Sequence, residues 1–447
     1  MDILETIRCC GIVGCGGAGF PTARKLDGKI EYFIVNGAEC EPLLRTDRYL
    51  MREKAHQLVS VVMTLKQELN IPHCVFALKG HYEEEVTALR AAIRAAGADI
   101  SVHELESFYP AGDEQTIVYE VTGRVVPPAG LPSAVGAVVD NVATVYAVSE
   151  ALEGRPFTQK YLTVTGEVRR PSVLRVPIGT PLSVCIEAAG GAKSENFYLM
   201  TGGPMMGRPV PHEGVETAVV GKTTSGILVL PADGYHAQKN GVDVAHMINR
   251  ARTACIQCSS CTQLCPRHLL GHPLQPHRIM RKLAMGDSIT SMLDDPDILN
   301  AQLCCECGIC ESYACPMGLQ PRRINAIVKQ ELARAGIRYH TSQIDWHPLE
   351  ERALRKTPSE RIAARVGVHA YYDYEIRDLT CPEVRHVEIP LKMHIGASAV
   401  PCVQVGERVH IGDLIAAVPD GALGANVHAS IDGCVESVGE RIVIAAE

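Results

Sequence analysis

Two cysteine-rich stretches constrain this chain more than anything else in it. CIQCSSCTQLCP runs from Cys255 to Pro266, and CCECGICESYACP from Cys304 to Pro316. In the first, Cys255, Cys258, Cys261 and Cys265 are separated by two, two and three residues. In the second, Cys304, Cys307, Cys310 and Cys315 repeat that pattern, but the last gap holds four residues. Each set ends in cysteine-proline. Cys305 makes the second register ambiguous; only Cys304 preserves the two-residue gap, so Cys305 is read as a spare.

Three thiols in one tight loop, with a fourth from farther along, is the ligand pattern of a 4Fe–4S cubane, and the first set has the bacterial ferredoxin spacing. Zinc is the alternative, but zinc favours C-x2-C pairs separated by a longer loop. The expectation is therefore two 4Fe–4S clusters. In two-cluster ferredoxins the fourth cysteine of each run is lent to the other cluster. On that rule Cys255, Cys258, Cys261 and Cys315 hold one cluster, and Cys304, Cys307, Cys310 and Cys265 the other. The longer second gap would be absorbed by a bulge in the helix that carries Cys315.

The remaining composition supports metal ligation over disulfides. Eighteen cysteines occur in 447 residues. The N-terminus has no basic segment followed by an apolar one, so no export signal is expected. The nine cysteines outside 255–315 read as small buried hydrophobes. No apolar run approaches the ~18 residues of a membrane span. A net charge of -8 without a basic stripe argues against nucleic acid. The length implies roughly three or four domains.

Clusters pass single electrons and do no bond chemistry alone, so a donor site is needed. Near the N-terminus stands GCGGAGFPTARKL, Gly14 to Leu26, in which Gly14, Gly16, Gly17 and Gly19 allow close backbone approach to a phosphate. The glycines are preceded by helical spacing (Ile3, Leu4, Ile7), so this is no dinucleotide fingerprint, which requires a strand there. KIEYFIVNGAECEP then reads as a buried strand ending in Asn36, Glu39 and Glu41. HCVFALKG and ADISVHEL read as further strands, with a helix from about Tyr82 to Ala96 that Gly97 stops. The alternation predicts an α/β domain with a largely parallel sheet and a ligand at the carboxyl ends of its strands.

GGAGFPT, VNGAECEP, YPAGDEQ and VVDNVATVYA follow in the order found in the NADH- and FMN-binding subunit of respiratory complex I and in the RnfC component of the Rnf complex. This resemblance spans Gly14 to about Ala147. It implies bound FMN and NADH as substrate. Position by position it implies that Gly16, Gly17, Gly19 and Lys25 hold the FMN phosphate. Asn36, Glu39, Asn141 and Thr144 would line the flavin, and Tyr109, Asp113 and Glu114 the nicotinamide side. Two residues depart from the pattern: Cys15 stands where complex I has arginine, and Ala38 replaces an aspartate.

Beyond this domain (1–152), 153–238 resembles the β-grasp module that follows the flavin domain in both families, with TGGPMMG a family-like segment in a structural spacer. GKTTSG at 221–226 ends like a P-loop but lacks its first glycine, so phosphate binding is rejected there. Residues 239–335 form a helical ferredoxin-like insert with the two clusters, and 336–384 a charged connecting segment. VPCVQVGERVHIGDLIAAV and VHASIDGCVESVG within 385–447 resemble the barrel-sandwich hybrid of lipoyl domains, without the lysine that carries a swinging arm. The order, with the hybrid last, resembles the cobalamin reductases of propanediol-utilisation bacterial microcompartments (PduS type). That resemblance implies NADH-driven reduction of cob(III)alamin, with an adenosyltransferase and shell proteins as partners and a cytoplasmic, microcompartment location. The alternatives are an Rnf-type membrane-associated subunit and a shell-docked electron conduit.

Overall fold

The computed structural model describes residues 2–211, 214–286 and 288–446. The first domain is built on four parallel strands, β1 (Tyr32–Asn36), β2 (His73–Lys79), β3 (Ser101–Leu105) and β4 (Ala137–Asn141), in the order β3-β2-β1-β4. Period-two alternation divides the side chains between the two faces. Phe33, Val35, Phe76 and Leu78 enter one apolar core, which also holds residues of α1 (Ile3–Cys9), α2 (Thr22–Leu26), α3 (Thr46–Glu53), α4 (Ala55–Glu68), α5 (Glu83–Ala96) and α7 (Val142–Leu152). Ile34, Ala77 and Val139 enter a second core closed by Ile117 and Val118 of α6 (Glu114–Thr122). The predicted stop of α5 is present: Gly97 is left-handed at φ 58°.

The second sheet has the order β10-β6-β5-β9-β7-β8, with β5 (Gln159–Gly166), β6 (Ser172–Pro177), β7 (Phe197–Thr201), β8 (Arg208–Val210), β9 (Gly226–Pro231) and β10 (Leu379–Thr380). Helix α8 (Leu182–Ala188) covers its apolar face through Leu182, Cys185 and Ile186. Strand β10 comes from the segment expected only to connect. That segment is a strap: the Thr357 carbonyl accepts the Tyr109 N–H at 2.8 Å, Arg352 pairs with Glu120, and Lys79 donates to Ser359 at 3.3 Å. Lys356 also pairs with Glu106 and Glu120, and Arg377 with Glu84, so part of the segment's charge is matched by the flavin domain, which periodicity alone does not reveal.

The C-terminal module has β11 (His386–Pro390), β12 (Val400–Pro401), β13 (Arg408–Val409), β14 (Leu414–Ala417), β15 (Val427–His428), β16 (Gly433–Val438) and β17 (Arg441–Ala445), in two small antiparallel sheets ordered β11-β17-β16-β13 and β12-β14-β15. Its Val387, Ile389, Ile415 and Val427 share one continuous core with the first domain. The helices that frame the cysteine loops, Val244–Ala254, Pro276–Met285 and Pro321–Arg334, have a separate core, packed through Ala251, Ile279, Leu283, Ile324 and Val328. Among the described residues no helix is long and apolar enough to cross a membrane.

Candidate functional site

The glycine-rich loop is closed at its base by a Val13–Pro21 bridge and by the Gly14 N–H donating to the Phe20 carbonyl at 2.9 Å. Its crest, Gly16 and Gly17, is exposed. A side chain at Gly17 would enter open space, whereas one at Gly16 would press on Asn141 at 3.0 Å. The loop rests on the N-terminus of α7, where the Cys15 N–H donates to Thr144 Oγ1 at 2.8 Å and Asn141 Oδ1 accepts from Ala143 as the cap. An open, glycine-lined crest over a helix N-terminus presents N–H groups and a positive dipole end to an anion. The far end of the loop touches the C-terminal module: the Gly19 carbonyl accepts the Ile395 N–H at 3.2 Å.

Lys25 projects from α2 toward the ends of the parallel strands. Its ammonium lies 2.7 Å from Glu114 and 3.7 Å from Asp140. Burial works against its charge, but the two carboxylates hold its pKa above the ordinary lysine value. Asp140 is pushed up to about 6 by burial. Asn36, at the end of β1, donates to the Gly112 carbonyl at 2.9 Å and accepts the Ala38 N–H. Glu39 accepts the N–H groups of Asp47 and Arg48 at 2.8 and 3.3 Å, fixing the start of α3. Asp47 in turn accepts from Asn141 at 2.6 Å, and burial followed by the Glu39 charge pushes its pKa up to about 8. The ends of β1 and β4, the glycine crest and Lys25 thus form one cleft whose donors and polar groups fit a flavin with its phosphate.

Tyr109 and Asp113 lie elsewhere than on an open nicotinamide face. Tyr109 is 1% exposed, and its hydroxyl donates to the Cys307 carbonyl at 2.6 Å. Asp113 pairs with Arg267, two residues past Cys265, and also caps α6 through the Thr116 N–H at 3.1 Å. Both therefore join the flavin domain to the cysteine loops. Of that trio only Glu114 faces the cleft, through Lys25.

Glu41, read from sequence only as part of the end of the first strand, was given no role. Its carboxylate accepts the N–H groups of Met205 and Met206, each at 2.9 Å, and burial pushes its pKa up to about 7. Gly203 leaves no room for a Cβ beside it, only 2.2 Å from Glu41 Oε2. TGGPMMG is thus a joint onto the flavin domain. The conjunction of this segment with the glutamate of VNGAECEP was the only available signal.

The two cysteine loops share one backbone signature. Gln257 and Glu306, each two residues past the first cysteine, are left-handed at φ 55° and 59°; Ser259 and Gly308, each one past the second, follow at 60° and 83°. Left-handed backbone is unfavourable for Gln, Ser and Glu, and its recurrence at matching positions turns N–H groups inward, a nest for an anionic group. The match sets Cys304 in register with Cys255. The Glu306 N–H points to Cys304 Sγ at 3.4 Å. Cys305, expected to be a spare, lies in the same group, with its thiol against Cys307 and Arg267. The extra residue before Cys315 is taken up by a π-helical turn, Cys310–Ala314, which is the bulge expected from the spacing.

Cys255, Cys258, Cys261 and Cys315 line one small cavity together. Around the second loop, Cys265 lies near Cys304, Cys305, Cys307 and Cys310. Each loop thus gathers the fourth cysteine of the other run. Among the described residues no three His, Cys, Asp or Glu are gathered tightly enough for a single ion.

Family models match in the same order: the Nuo51 FMN-binding domain over 7–150, an SLBB domain over 161–209, a 4Fe–4S dicluster domain over 254–320 and the RnfC barrel sandwich hybrid domain over 369–447. The cobalamin reductase PduS of Salmonella typhimurium is 42% identical over 99% of this chain and 96% of that protein. That of Citrobacter freundii is 41% identical over 99% and 95%. The C component of the ion-translocating oxidoreductase complex of Rhodobacter capsulatus is 35% identical over 64% of this chain and 52% of its own length. FMN and 4Fe–4S clusters are the cofactors of this fold, and the chain is a flavo-iron–sulfur oxidoreductase that belongs to the PduS cobalamin reductase family.

Proposed function

We propose that this chain is an NADH-dependent cobalamin reductase that carries electrons from the nicotinamide to cob(III)alamin. The observation that carries the proposal is kinship to PduS reductases over the whole chain, with the barrel-sandwich module at the C-terminal end. When bound, FMN takes an electron pair from a nicotinamide and releases it singly, as one-electron clusters require. On this reading Gly16, Gly17, Gly19 and Lys25 hold the flavin phosphate at the α7 N-terminus. Asn36, Glu39, Asn141 and Thr144 shape the cleft, and Glu114 holds Lys25. Cys255, Cys258, Cys261 and Cys315 ligate one cluster, and Cys265, Cys304, Cys307 and Cys310 the other. Tyr109 and the Asp113–Arg267 pair hold the second cysteine loop against the flavin domain and keep water out of that joint. The same reading implies a propanediol-degrading microcompartment as the setting, with an adenosyltransferase and shell proteins as neighbours.

The test is anaerobic. Reconstituted protein is assayed for flavin and iron, then mixed with NADH and hydroxocobalamin while the visible spectrum is followed. The expected result is about one FMN and eight irons per chain and the appearance of cob(II)alamin or cob(I)alamin bands. Bleached flavin and clusters beside unchanged cobalamin would overturn the reading and move the acceptor to a protein partner.

A further inference from the structure

A cavity of about 380 Å3 opens where α3, the turn before α5 and the strap meet. That volume lies within the roughly 300–1,000 Å3 of small-ligand sites. No residue assigned to the flavin cleft or to the cysteine loops lines it. Its wall is cationic and aromatic: Arg45, Arg48 and Arg377 stand with Tyr82, Tyr372 and Tyr374.

The charges are not equally committed. Arg48 pairs with Glu85 at 3.1 Å and lies over the Tyr82 ring at 4.4 Å; Arg377 pairs with Glu84 at 2.9 Å. Asp373 and Glu375 also border the cavity. Arg45 has no carboxylate within ion-pair distance among the described residues; its guanidinium donates only to the carbonyls of Leu44 and Tyr372. A guanidinium has five N–H donors, so Arg45 retains several for an anion, in the planar geometry that suits phosphate. The tyrosine faces beside it offer stacking surface for a flat ring.

The cavity's lining residues connect to both redox regions. The Tyr82 hydroxyl reaches the Ala38 carbonyl at 3.5 Å, and the Arg48 N–H donates to Glu39. On the other side, Tyr372 packs into the apolar cluster that holds Cys307 and Cys305.

We propose that this cavity is a substrate subsite for a ribonucleotide group, with Arg45 binding its phosphate and the tyrosines its aromatic base. The proposal rests on the reductase reading, in which two substrates carry such a group: cobalamin in its nucleotide tail and NADH in its adenylate half.

The test is calorimetric titration of the full chain, with its FMN and clusters, using cyanocobalamin, cobinamide (the corrin without the nucleotide tail) and ADP-ribose. Arg45→Gln is expected to weaken one nucleotide-bearing probe at least tenfold and to leave cobinamide unchanged, with Arg45→Lys recovering part of the loss. Loss confined to cobalamin assigns the site to the corrinoid tail, and loss confined to ADP-ribose to the dinucleotide. If Arg45→Gln does not retain FMN and iron, Tyr374→Ala carries the same comparison. Unchanged binding of all three probes overturns the proposal, as does an equal loss of cobalamin and cobinamide. Weakened ADP-ribose binding in a protein that fails to reduce hydroxocobalamin would sink the reductase reading and leave the subsite standing.

Discussion

Glu41 shows how much a single side chain carries in this protein. It belongs to the flavin domain, is held by two N–H groups of the β-grasp module, and lies 3.5 Å from the Tyr109 hydroxyl. Burial holds its pKa at about 7, above the ordinary 4.5. Between those values the unfolded carboxyl ionises while the folded one keeps its proton, so its contribution to stability is lost as pH rises from about 4.5 to 7. Glu41→Gln should therefore gain on the parent protein by roughly a few °C in Tm between pH 5 and 7.5. A Tm difference that is flat across that range would show that the shift is absent. At the first cysteine loop, Cys258→Ala should lower iron from about eight toward about four per chain while NADH still bleaches the flavin. Full cobalamin reduction by that variant would make the flavin the direct donor. In the cleft, Lys25→Ala should release FMN during gel filtration. Unchanged FMN content would remove Lys25 from the phosphate site.

Among the secondary-structure elements, α6 and the second cysteine loop depend on one ion pair. Asp113 caps α6 and neutralises Arg267, whose side chain is almost wholly enclosed. Removing one partner of a buried pair leaves an uncompensated charge and costs about 3–5 kcal/mol. Asp113→Ala should destabilise the protein by that amount and lower iron content at the second loop, as read from denaturant unfolding and iron analysis. Asp113→Asn keeps the cap but not the charge, so it separates the two roles: near-parental stability would assign the effect to capping alone. The π-helical turn at Cys310–Ala314 is a second case, in which one added residue is absorbed locally and the following cysteine still reaches its partners.

The whole molecule is pinned where three modules meet. Lys222 of the β-grasp module is buried, and its ammonium nitrogen donates to the Gly11 carbonyl of the flavin domain at 2.7 Å and the Asn426 carbonyl of the C-terminal module at 2.6 Å. Burial lowers its pKa to about 7. From pH 7 to 10.5 the unfolded lysine is protonated while the folded one is not, so stability from this group rises with pH across that window. Lys222→Met should flatten the rise in Tm between pH 7 and 9. An equal slope in both proteins would mean that the lysine is charged in the folded state. The P-loop-like GKTTSG thus holds a structural lysine, in agreement with its rejection as a phosphate site.

The two clusters are legible from cysteine spacing, which is local chemistry; FMN and the order of the modules are legible through the family resemblance that the ordered motifs carry. Three thiols at two-residue intervals followed by a cysteine-proline mean the same thing in any surroundings. The strand end at Asn36 was legible in the local pattern, whereas Asn141 entered through the resemblance and its place at the end of a strand came from the fold. What joins the modules emerges only in three dimensions. Tyr109 and Asp113 face the cysteine loops, Glu41 meets TGGPMMG, and the charged segment after residue 336 is a strap with a sheet strand of its own. The choice of Cys304 over Cys305 gained its backbone evidence only when the two loops could be compared by dihedral angle. Such contacts link residues up to hundreds of positions apart. Their energies come from burial and from charge pairing across module boundaries, and neither periodicity nor spacing along one chain encodes which distant partner a buried polar group will find.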